Sequence, residues 1–95
     1  MESKDAYQEK MEAELKTLDG RIRELEGKAQ EAEADRKIEY RHKVEDLKTK
    51  RGEARARLDQ LKRSGGDAWK DMRSGFEHAY NDLRTAVTNA VSRFR

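Results

Sequence analysis

After a Ser64-Gly65-Gly66-Asp67 break, the last part of the chain sets Trp69, Tyr80 and Val91 eleven residues apart, Met72, Leu83 and Phe94 likewise, with Phe76 and Val87 completing the pattern. Eleven residues make three helical turns at about 3.67 residues per turn, so these side chains form one nearly straight apolar stripe along a helix. Such a stripe has to be covered. Eight large side chains at roughly 1.5–3 kcal/mol each give a gross drive of order 10–20 kcal/mol toward burial, before ordering entropy is subtracted. The cover is another helix, from this chain or a partner, or a lipid surface.

Two successive glycines suit the C-terminal cap of one helix, and Asp67 suits the N-terminal cap of the next. The chain therefore divides into a long coiled-coil helix over 1–63, a Ser-Gly-Gly-Asp turn at 64–67 and a C-terminal amphipathic helix over 68–95. Gly75, beside Phe76, marks either a close helix approach or a tolerated weak spot.

Before the break, apolar or small residues recur at alternating steps of three and four: Leu15, Leu18, Ile22, Leu25, Ala29 and Ala32, then Tyr40, Val44 and Leu47, then Ala54, Leu58 and Leu61. This is a coiled-coil seam. Its large members, Leu15, Leu18, Ile22, Leu25, Val44, Leu47, Leu58 and Leu61, are the expected oligomer contacts. Positions 32, 36, 40 and 44 take one residue more than a strict heptad, so the supercoil should relax there. Arg36 and Arg51 sit on the seam and are expected to carry their charges outward. Gly20, Gly27 and Gly52 fall off the seam, and Asp19-Gly20 is the place in the rod to watch for a break. Glu12/Lys16, Asp19/Arg23, Glu24/Lys28, Glu33/Lys37, Glu39/Lys43, Asp46/Lys50, Glu53/Arg57 and Asp59/Arg63 all place the acid four residues before the base, the favourable order on a helix.

The signs of charge are segregated. Residues 1–35 hold 6 Lys or Arg against 11 Asp or Glu, and residues 36–63 hold 11 against 5, although the net charge is only +2. A rod with ends of opposite sign favours an antiparallel partner, so an antiparallel homodimer is the expected assembly. The short helix would fold back as a hairpin and make each end of that dimer a three-helix bundle. The acidic counterweight argues against nucleic acid as a partner. With 44% charged residues, a mean hydropathy of −1.27 and no proline, the composition is that of an elongated all-α unit. No cysteine is present, which fits a reducing compartment, and no apolar run suits a signal or a membrane span. A cytoplasmic location is expected.

Reactive constellations are sparse. Glu39 and His42 have the Glu-x-x-His spacing of di-iron bundles, but such a centre needs a second copy of the motif, and His78 has no Glu three positions before it. The serines and threonines have no histidine in a recognisable partner arrangement, and Gly65-Gly66 lacks the lysine and serine of a phosphate loop. No catalytic residue, metal ligand or cofactor is expected from these patterns.

The candidate binding face is the stripe Trp69, Met72, Phe76, Tyr80, Leu83, Val87, Val91 and Phe94. Its polar side carries Lys70, Arg73, Arg84, Arg93 and Arg95 against Asp67, Asp71, Glu77 and Asp82, with Ser74, Thr85, Thr88, Asn89 and Ser92 between them. A near-neutral, hydroxyl-rich side is compatible with adsorption to loosely packed lipid. The eleven-residue period is similar to that of exchangeable apolipoproteins, as a shared physical solution. The segment Ser64-Gly65-Gly66-Asp67-Ala68-Trp69-Lys70-Asp71-Met72, continued through Gly75-Phe76, Ala79-Tyr80 and Leu83, resembles the C-terminal part of small bacterial coiled-coil stress-response proteins of cyanobacterial and proteobacterial type. That resemblance implies a non-enzymatic scaffold or protein-interaction module and no catalytic residues. The alternative is peripheral lipid binding through residues 68–94.

Overall fold

The computed structural model describes residues 3–94, and within them the chain is all-helical. Helix α1 spans Lys4–Glu31, α2 spans Ala34–Arg63 and α3 spans Asp67–Arg93. Met1 and Glu2, expected in the first helix, and Arg95, expected in the last, lie outside the described residues.

The rod expected over 1–63 is two helices. It breaks at Ala32-Glu33, where both residues take extended backbone (φ −68°, ψ 153° and φ −62°, ψ 153°), and α2 folds back against α1. The break falls where the seam spacing departs from the heptad, whereas Asp19-Gly20 stays helical. The physical reason is burial. A straight rod leaves the seams of residues 4–31 and 34–63 without cover from their own chain, and folding lets each cover the other. Ser3 caps α1 by accepting from the Ala6 amide at 3.1 Å.

At the second turn, the Ser64 amide and hydroxyl both donate to the Leu61 carbonyl, at 3.1 and 2.9 Å. Gly66 takes φ 60°, ψ −137°, a mirror-image extended conformation open to glycine and costly for other residues. Gly66, not Asp67, is the N-cap of α3, and Asp67 makes no capping hydrogen bond. Asp67 instead sits in the first turn, where its negative charge meets the positive end of the helix dipole.

The three helices form one bundle measuring 51 × 17 × 17 Å. Helices α1 and α3 run in the same direction: Tyr7 meets Trp69 at one end, and Tyr80 reaches Glu14 further along. Helix α2 runs against both. At its start Tyr40 stacks on Phe94, ring centroids 4.1 Å apart.

All eight large seam residues are buried, together with Tyr7, Met11, Ala29, Tyr40 and Ala54. From α3, Trp69, Phe76, Tyr80, Leu83, Val87, Ala90 and Phe94 enter the same core. No polar or charged residue is buried among the described residues. The α3 set has a clear spacing: Trp69, Phe76, Leu83 and Ala90 are seven apart, and so are Tyr80, Val87 and Phe94. That is a heptad pattern, as knobs-into-holes packing of three helices requires. The eleven-residue reading needs correction at its two departures from this pattern, because Met72 and Val91 are each 40% exposed.

Candidate interaction surface

The stripe read as a binding face is for the most part the bundle interior. Six of its eight members are buried, and Phe76, Leu83 and Val87 are fully so. The seam residues assigned to an oligomer contact are likewise covered within one chain. What remains for a partner is the charged exterior, interrupted among the described residues by three exposed large apolar side chains, Ile38 at 66% and Met72 and Val91 at 40% each.

Ion pairs between helices divide unevenly. Across α1 and α2, Arg51 meets Asp19 at 2.5 Å, Arg55 meets Glu12 at 3.4 Å, Lys62 also pairs with Glu12, and Lys48 pairs with Glu26. The acidic first segment and the basic second segment thus neutralise each other inside one chain. Arg51, on the seam, reaches Asp19 at its edge and stays partly exposed. Helix α3 joins this scheme through Lys50 and Asp82, 3.0 Å apart, and that hydrogen bond raises the Lys50 pKa. Of the acid-before-base pairs within helices, Asp19/Arg23 closes at 3.2 Å and Glu53/Arg57 at 3.7 Å. Asp59 instead pairs with Arg55, four residues before it.

Toward α1, α3 uses aromatic rings and hydroxyls. Tyr7 and Trp69 meet edge-on with centroids 5.7 Å apart, and the Arg73 guanidinium lies 4.2 Å from the Tyr7 ring centre and 5.6 Å from that of Trp69. Lys4 approaches Trp69 from the other helix at 5.6 Å. The Tyr7 hydroxyl donates to Glu77 at 3.2 Å, and Arg73 holds the same carboxylate at 2.7 Å. Burial, reinforced by the Glu77 carboxylate, pushes the Tyr7 hydroxyl up to about 12. Burial and the hydrogen bond to Glu14 raise Tyr80 as well. Trp69 Nε1 is buried and has no hydrogen-bond partner.

The grooves between helices are open. The one beside Lys43, Asp46, Ala86, Asn89 and Arg93 has a volume of about 500 Å³. Gly75 lies under Arg57, where an added Cβ would come within 3.1 Å of the guanidinium, so this glycine marks a close side-chain approach. Glu39 and His42 find no further ligands: among the described residues no three of His, Asp and Glu gather as a metal site. No helix of the described residues is long and apolar enough to cross a membrane.

Comparisons with family models, curated proteins and solved structures return no match for this chain.

Proposed function

We propose that this chain is a non-enzymatic helical scaffold that binds protein partners, in the setting of a bacterial stress response. The observation that supports this reading is the division of its surface. The apolar seams and most of the α3 stripe are spent on one internal core, while the exterior carries dense charge of both signs with isolated apolar positions at Ile38, Met72 and Val91. A rigid helical surface of that kind suits protein recognition, in which a few anchors set among polar groups fix the partner. The stress setting rests on the resemblance of the Ser64–Met72 junction and the aromatics after it.

The test is binding by the intact chain. A partner isolated with it from stressed bacterial cells should bind saturably in purified form and should lose most of its affinity for Ile38→Glu or Val91→Glu, while both variants keep wild-type helicity. Failure to recover any saturably binding protein contradicts the scaffold reading.

Lipid binding is the second reading, favoured by the charge balance of α3: Lys70, Arg73, Arg84 and Arg93 offset Asp67, Asp71, Glu77 and Asp82. It requires α3 to leave the core. Flotation with neutral phosphatidylcholine vesicles separates the two, because the scaffold reading leaves the protein unbound.

A further inference from the structure

The two turns of the bundle are built differently. At residues 64–66 the chain has Gly66 at a positive φ and a hydroxyl capping the preceding carbonyl. At Ala32-Glu33 nothing comparable exists. Alanine and glutamate are good helix formers, the Glu33 side chain caps nothing, and the Ala32 amide reaches the Ala29 carbonyl only at 3.4 Å. The bend is held by what it brings together and not by its own residues.

What it brings together is indifferent to chain identity. Helices α1 and α2 are antiparallel, acidic against basic, and joined by Asp19–Arg51, Glu12–Arg55 and Glu26–Lys48. A second copy laid antiparallel with its turn straightened offers the same residues in the same relation. A two-fold axis at the turn makes the exchange self-complementary. The seam continues across the straightened turn through Ala29, Ala32, Tyr40 and Val44, with Arg36 the one charged position on it, its guanidinium free to reach solvent.

We infer that the chain exchanges α1 with a second copy of itself, Ala32-Glu33 becoming helical so that residues 4–63 form one rod in an antiparallel dimer. Each α3 stays on the α2 of its own chain, and each end of the dimer repeats the three-helix core seen in one chain. The rod would be about 90 Å long at 1.5 Å per residue, with its two bundles at opposite ends. The exchange is independent of the scaffold reading: it concerns the number of copies and not what binds to them.

Glu26 and Lys48 provide the test, since their side chains touch across α1 and α2. The double variant Glu26→Cys/Lys48→Cys is refolded at high protein concentration, diluted, and treated with a short bismaleimide. In the closed chain the link is intramolecular. In the exchanged dimer it joins two chains and gives a covalent dimer on a denaturing gel.

Glu33→Pro is the control. Glu33 has φ −62° and Ala32 has the extended conformation that proline requires of its predecessor, so the bend accepts it, whereas a continuous helix does not. The expected result is covalent dimer from the parent pair and its loss in the Glu33→Pro background. A second control, two glycines inserted after Ala32, relaxes the turn without a ring and should also leave only intramolecular product. The inference is overturned by purely intramolecular linkage in the parent pair, or by undiminished covalent dimer in either control that keeps its helicity.

Discussion

Helix α2 is covered on two sides by interfaces of different chemistry. Its contact with α1 joins two largely aliphatic seams, flanked by four inter-helix ion pairs among the described residues. Helix α3 brings Trp69, Phe76, Tyr80 and Phe94 to the core and, among the described residues, one ion pair to α2, Lys50–Asp82. Ion pairs this exposed contribute roughly 0–1 kcal/mol each and weaken with salt. Fully buried aromatic and leucine side chains contribute several times as much. The ion pairs favour the antiparallel orientation of α1 and α2, and the apolar core, to which α3 brings most of the aromatic rings, supplies cohesion.

The largest effect should come from cutting into the α3 side. Phe76→Ala is expected to cost about 3–5 kcal/mol in urea denaturation, since a fully buried ring leaves a cavity that α2 cannot fill. A loss below about 1 kcal/mol would mean that α3 does not carry the cohesion.

Gly66→Ala comes next. It forces a Cβ into the positive-φ turn that aims α3 at the bundle, and should cost roughly 1–2 kcal/mol. Gly65→Ala, at a residue with negative φ, is the comparison and should cost less.

Alkali sharpens the contrast from the aromatic side. The folded chain holds the Tyr7 proton more tightly than the unfolded chain, whose phenol has its ordinary value near 10. The stabilisation is therefore complete below pH 10 and is lost as pH rises toward about 12. Chemical denaturation across that window should show the decline, and Tyr7→Phe should remove its Tyr7 component. An unchanged slope in Tyr7→Phe would contradict the assignment.

The smallest effects belong to the charged interface. Asp19→Asn is expected to cost about 0.2–1 kcal/mol at low ionic strength and close to nothing in molar salt. A salt-independent loss would show that the Arg51–Asp19 pair acts by packing instead.

Much of this architecture is legible in the residues. Every apolar seam member named from spacing is buried except Ala32, which is partly buried beside the turn, and the glycine pair follows directly on the end of a helix. Two features were harder to see. The fold-back at Ala32-Glu33 carries no proline, glycine or capping side chain. Its only trace is the extra residue between Ala32 and Val44, which fits a relaxed supercoil as well as a bend; the choice between them is made by burial of distant segments. In α3, apolar residues at 69, 72, 76, 80, 83, 87, 91 and 94 satisfy an eleven-residue repeat on paper. The core selects the heptad subset and adds Ala90, too small to register in a pattern of large side chains. Tyr7 and Met11 escape the spacing pattern for another reason: they extend the first seam in two steps of four, ahead of the alternation that begins at Leu15.

The α3 stripe, apart from Met72 and Val91, is interior to the bundle. Trp69 reports on it directly, being 7% exposed and the chain's single tryptophan. Its emission should be blue-shifted in buffer and should not be quenched by vesicles of brominated phosphatidylcholine. Red-shifted emission in buffer that moves to the blue and is quenched when those vesicles are added would contradict the account.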